Sequence, residues 1–125
     1  MLGRMPRAMK PVQDIGHVFL EVGDMEEALR FYRDTLGFTV KEKSDPVWTI
    51  VETAGGSLTL FRKKDPVPCA RRDGGSPFNF HVANFEDAAK EIERAGFPVL
   101  RGDANTGSVR DPWGNVLSLH DHRND

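Results

Sequence analysis

This chain repeats itself once, and the repeat leaves few folds open to it. The run His17-Val18-Phe19-Leu20-Glu21-Val22-Gly23-Asp24-Met25-Glu26-Glu27-Ala28-Leu29-Arg30-Phe31-Tyr32, closing with Leu36-Gly37-Phe38-Thr39-Val40, returns in weaker form. The second copy is Phe80-His81-Val82-Ala83-Asn84-Phe85-Glu86-Asp87-Ala88-Ala89-Lys90-Glu91-Ile92, closing with Ala95-Gly96-Phe97-Pro98-Val99. At an offset of 60, Val22 meets Val82, Asp24 meets Asn84, Met25 meets Phe85 and Ala28 meets Ala88. One residue then drops out, and at an offset of 59 Gly37 meets Gly96, Phe38 meets Phe97, Leu58 meets Leu117 and Leu60 meets Leu119. A period this long predicts two supersecondary units and not a solenoid of short repeats.

Each unit reads as strand, capped helix, glycine stop and strands. Residues 15–22 alternate, which predicts a strand with Val18, Leu20 and Val22 packed on a helix and His17, Phe19 and Glu21 on the opposite face. Asp24 is suited to cap the helix, with Glu27 in the capping-box position. Met25, Ala28, Leu29, Tyr32 and Leu36 form its apolar stripe, and Gly37 ends it. A turn at Asp45-Pro46 leads into a hairpin of residues 47–52 and 57–62 around Thr53-Ala54-Gly55-Gly56. In the second unit Phe78, Phe80 and Val82 face the helix, with Asn79 and His81 opposite. Asn84 caps, Phe85, Ala88, Ala89, Ile92 and Ala95 make the stripe, and Gly96 stops it. Residues 105–110 and 116–120 form the last hairpin through Asp111-Pro112-Trp113-Gly114-Asn115, where the proline and glycine suit a turn.

At 125 residues the chain is expected to be one domain made of two half-units. Its parts are a mobile tail (1–13), a first unit (14–62), a breaker-rich linker (63–77) and a second unit (78–125). The net charge of −2 argues against a nucleic-acid partner. No apolar run is long enough to cross a bilayer, and the start lacks the apolar core of a signal peptide, so a cytoplasmic protein without a membrane partner is expected. The single cysteine, Cys69, rules out an internal disulfide and reads as an incidental thiol in the linker. No glycine-rich phosphate loop and no nucleophile triad stand out.

The two strand–helix–strand–strand–strand units, the Val-Gly-Asp-Met-Glu-Glu-Ala opening with Phe-Tyr and Leu-Gly-Phe (22–38), and the Asp-Pro-Trp-Gly-Asn turn resemble the vicinal oxygen chelate superfamily. This is the glyoxalase, bleomycin-resistance and extradiol-dioxygenase group, and the resemblance covers residues 14–121. It implies an α+β fold in which two βαβββ modules form a curved, cup-like sheet with helices outside and a ligand inside. It also implies a homodimer with shared or swapped modules. Strand alternation then points Phe19, Glu21, Trp48, Thr59, Phe61, Asn79, His81, Ser118 and His120 into the cup, with Glu21 and His81 the candidate catalytic groups.

Metal-dependent members of that group hold a divalent ion that polarises two neighbouring oxygens. Carried onto this chain, the four ligand positions fall on His17, Thr59, Pro77 and Ser118. Only His17 is a good ligand, so the standard site is not expected and no cofactor is assigned. A shifted site on Glu21, His81 and His120 is the metal-binding alternative, although His17 and Glu21 stand ~13 Å apart along a strand. His122, near the C-terminus, reads as a solvated residue. The leading function is thus a cup that binds a small organic molecule. The alternative is a divalent-metal-dependent lyase, isomerase or dioxygenase of the same group, and an interaction domain with a vestigial cup is a third reading.

Overall fold

Strand β1 (Phe19–Val22) gives way at Gly23 to helix α1 (Met25–Leu29), because the extended Asp24 turns its carboxylate back to accept the Glu27 amide at 2.9 Å. This is seen in a computed structural model that describes residues 11–12, 14, 16–73, 75–103 and 105–122. After Leu29 the backbone widens into a π-helical segment, Arg30–Thr35, and Gly37 ends it at φ +88°. The Leu36 amide reaches back five residues to the Phe31 carbonyl at 2.9 Å, the mark of that wider turn. The change of offset from 60 to 59 falls within this segment, which takes up the extra residue of the first copy. Within the wide turn two sequence neighbours, Phe31 and Tyr32, are both fully buried.

The second helix, α2 (Phe85–Arg94), is regular. Asn84 accepts from the Asp87 amide at 3.0 Å, Asp121 accepts from the Phe85 amide, and Gly96 (φ +101°) follows the C-terminus. The other strands are β2 (Thr39–Val40), β3 (Trp48–Thr53), β4 (Gly56–Arg62), β5 (Asn79–His81), β6 (Val99–Arg101), β7 (Thr106–Arg110) and β8 (Val116–His120). They form two four-stranded sheets with the same order, β1-β4-β3-β2 and β5-β8-β7-β6. In each, the first strand runs parallel to the last and the other pairs are antiparallel. The result is the expected α+β fold of two βαβββ modules with curved sheets.

The helix-bearing faces of both sheets share one core. Leu20, Val22, Leu58 and Leu60 of the first half join Phe85, Ile92, Leu117 and Leu119 of the second. Burying each such side chain is worth ~1.5–3 kcal/mol, so the shared core is what holds the halves together. Phe31 meets Phe97 edge-on at 4.8 Å between ring centres, and Phe38 meets Phe80 at 5.7 Å. A polar clamp sits beside these rings. The Tyr32 hydroxyl donates to buried Asp111 at 2.7 Å, and Asn115 donates both to Asp111 (2.7 Å) and to the Glu21 carbonyl (2.9 Å).

Several boundaries differ from the sequence reading. The first strand begins at Phe19 and not at residue 15, so His17 lies just ahead of it. In the second helix only Phe85, Ala89 and Ile92 are buried; Ala95 is exposed, because it caps the C-terminus beyond the packed face. The linker is stitched to both halves: Val67 donates to Glu21, Cys69 donates to Asn115, and Val116 donates to the Cys69 carbonyl. Most of the expected N-terminal tail lies outside the described residues.

Candidate functional site

Residues paired across neighbouring strands point to the same face of a sheet. Phe19 pairs with Thr59, and Phe61 pairs with both Glu21 and Trp48, so these five share the face away from the core. His17 joins them through a 2.9 Å hydrogen bond between Nδ1 and the Thr59 hydroxyl. Its ring lies 4.8 Å from Trp48 and 5.4 Å from Phe19, and Phe19 lies 5.8 Å from Phe61. Phe19 is 48% exposed and Trp48 41%, which makes this an open aromatic surface rather than core. Asp45 fixes its edge by accepting from the Val47 and Trp48 amides, bonds that hold the Asp45 carboxyl below the usual carboxylate range. Lys63 lies 5.3 Å from the Phe61 ring centre and brings a cation to the rim.

Glu21 is placed less simply. It lies on this face, but one of its oxygens accepts the Val67 amide at 2.9 Å, which ties the carboxylate to the linker. The other expected residues gather on the second sheet. Asn79 pairs with Ser118 and His81 with His120, again on the face away from the core. His122, read from the sequence as merely solvated, is exposed, yet its ring packs 4.4 Å from His81 and 4.5 Å from His120. Asn105 Nδ2 lies 3.3 Å from His120 Nε2. The structure therefore forms two groups, His17–Phe19–Trp48–Thr59–Phe61 and His81–His120–His122.

The four positions implied for a metal do not make a fitting donor set. Thr59 and Ser118 offer neutral hydroxyls, Pro77 has no donor side chain, and His17 Nδ1 is engaged by Thr59. The shifted set is divided, with Glu21 on the first sheet and His81 and His120 on the second. Among the described residues no group of three or more His, Cys, Asp or Glu is arranged to hold an ion. Cys69 is half-buried, and burial pushes its thiol up, away from nucleophile chemistry. Sequence reasoning missed the Tyr32–Asp111–Asn115 clamp. The signal available was a lone tyrosine on a helix stripe and two polar residues in a turn, and it gave no partner.

Comparison with known proteins gives a consistent picture. The profile of the Glyoxalase/Bleomycin resistance protein/Dioxygenase superfamily matches residues 14–119. The catechol-2,3-dioxygenase of Bacillus subtilis (strain 168) is 26% identical over 107 residues, covering 78% of this chain but only 37% of the relative's length. Among solved structures, a glyoxalase-family protein from Bacillus anthracis superposes with a TM-score of 0.71 at 20% identity, covering 91% of this chain and 98% of the other. TnmS3, an antibiotic binding protein from Streptomyces sp. CB03234, gives 0.60 at 22% identity, covering 86% and 96%.

Proposed function

Because the chain belongs to the Glyoxalase/Bleomycin resistance protein/Dioxygenase superfamily, we propose that it binds a small organic molecule on the open face of its first sheet, without the metal site common in that group. The observation that supports this reading is the cluster of exposed Phe19 and Trp48 with half-buried Phe61, beside His17. Aromatic walls with a few placed polar groups are the usual make-up of a ligand site. The rings stack on a planar ligand. His17 orients it through Nε2, since Nδ1 is held by Thr59. Lys63 at the rim favours a ligand with an acidic or electron-rich edge. A fold relative that binds an antibiotic supports the same kind of use.

A second copy of the chain belongs to this proposal. Phe19 and Trp48 are exposed on this face, and their chain neighbours Val18, expected from the sequence to pack on the helix, and Val47 are exposed too; a homodimer with shared or swapped modules would cover these residues and close the site. A cytoplasmic setting belongs to the proposal as well; with one cysteine the chain forms no internal disulfide, so its fold does not call for an oxidising compartment. Among the described residues no helix is long and apolar enough to cross a membrane.

The test is a thermal-shift screen of aromatic acids, thiol conjugates and antibiotics, run with and without Ni, Zn, Mn or Fe(II), and repeated on Trp48→Ala. A metal-independent shift that weakens about tenfold in the variant is the expected result. A shift that needs the metal would overturn this reading in favour of a metal-dependent enzyme. Light scattering that gave a monomer at working concentration would remove the dimer.

A further inference from the structure

The duplication sets up an unequal pair of contacts. In the first half, β4 takes one side of β1, and the Glu21 carbonyl on the other side is met by Asn115. That edge is closed by the turn of residues 111–115. Trp113 packs against the shared core and lies so close to Gly23 that a Cβ there would collide with the indole. Asp111 receives the Tyr32 hydroxyl from below.

The equivalent turn of the first half, residues 53–56, lies across a cavity from the edge of β5 with which no described strand pairs, and it leaves that edge open. It is one residue shorter and consists of Thr53, Ala54, Gly55 and Gly56. Counted back from the last strand, Ala54 stands where Trp113 stands in the other half. On the helix, Glu91 and Ile92 stand where the first half has Phe31 and Tyr32. Three ring systems that fill one contact are thus missing from its counterpart. What remains is a cavity of ≈ 630 Å³, walled by Leu36, Phe38, Phe80, Ile92 and Leu119 together with residues 53–58.

We infer that this cavity binds a small flat aromatic molecule, which takes at the edge of β5 the place that the chain's own Trp113 takes at the edge of β1. The volume lies within the ~300–1,000 Å³ of ordinary ligand pockets, and the walls are largely apolar. A polar strip is available too. Ser118 donates to the Phe78 carbonyl and Val82 to the His120 carbonyl, so residues 78, 80 and 82 face β8. The alternate residues, Asn79 and His81, turn their amides and carbonyls to the cavity side, as Glu21 turns its carbonyl to Asn115. A ligand with one N–H or hydroxyl on its ring edge can bond there. The Glu91 carboxylate at the margin disfavours an anion. The site is distinct from the His17–Trp48 face: Phe80, Ile92 and Leu119 belong to the core side of the second sheet.

The probe is indole, the group whose counterpart fills the other edge. Two-dimensional amide NMR of the full chain, titrated with indole, should give saturable shifts confined to residues 53–58 and 79–82, with an affinity in the millimolar range or tighter. Ala54→Trp, on an exposed turn, should abolish those shifts and raise Tm. Ala88→Leu, which fills the cavity from α2, should weaken binding at least about tenfold without touching the turn. No saturable shift in the wild type, or shifts that persist in both variants, would overturn the assignment. So would a dimer whose partner chain protects residues 53–58 from exchange, since the occupant would then be a second copy.

Discussion

Tyr32 offers a direct measurement of how the halves are joined. It is the only tyrosine in the chain, it is fully buried, and its hydroxyl donates to Asp111 at 2.7 Å. Burial first, then the neighbouring Asp111 carboxylate, push the phenol far above its ordinary value of about 10. The fold therefore requires the neutral phenol, whereas the unfolded chain ionises normally. A raised folded value contributes stability that is complete below about pH 10, and above it stability falls by about 1.4 kcal/mol per pH unit. Tyr32→Phe keeps the ring and deletes the hydroxyl. A hydrogen bond to a charged group is worth ~1.5–3 kcal/mol, and Asp111 retains three other donors, which places the cost near the low end of that range at neutral pH. Dividing that cost by the slope, wild type and variant should become equally stable roughly one pH unit above 10. Urea unfolding followed by tryptophan fluorescence gives the two stabilities, and tyrosinate absorbance reports Tyr32 alone. Tyrosinate forming with an ordinary midpoint while the fluorescence is still native would refute the reasoning, as would a penalty that does not change with pH.

Other outcomes follow from the same contacts. Trp113→Ala should cost ~2–3 kcal/mol, below the usual value for a fully buried tryptophan because the ring is only half-buried, and should create a new indole site at the edge of β1 that amide NMR would reveal. Gly107→Ala should destabilise by ~1–3 kcal/mol or more in denaturant titration, since a Cβ there would lie 2.5 Å from the Phe85 ring and 2.6 Å from the Leu100 carbonyl oxygen. Arg101 donates to Glu86 and Glu93 and holds both carboxyls below their ordinary range, so their contribution is present above about pH 4.5 and lost as pH falls. Arg101→Ala should flatten that acid limb of a Tm–pH curve, and added salt should shrink the difference because the pair is exposed.

The framework could be read early because its signals are local. Asp24 and Asn84 cap their helices, and Gly37, Gly96 and Gly114 adopt the positive φ that ends a helix or completes a turn. Period-two alternation put Phe19, Trp48 and Phe61 on one face of one sheet. What stayed hidden were contacts between distant segments. Nothing about Tyr32 announces Asp111, 79 positions away, and nothing about His122 announces His81. The change of offset from 60 to 59 was visible, but its consequence was not: a missing residue could equally have shortened a loop, and only the packing of Phe31 and Tyr32 placed it in a widened helix. The carboxylate of Glu21 was legible as facing the right way, but its bond to the linker amide depends on where residue 67 returns.

The π-helical segment also bears on how such a doubled protein can diverge. Adding one residue to a regular helix rotates everything beyond it by ~100°, which would turn a buried stripe toward water. A single broad turn takes up the extra length locally and leaves strand registers on both sides undisturbed. Twin halves that began alike can thereby acquire unlike seams, one sealed with aromatic rings and one left hollow, while the surfaces facing outward keep their shared geometry.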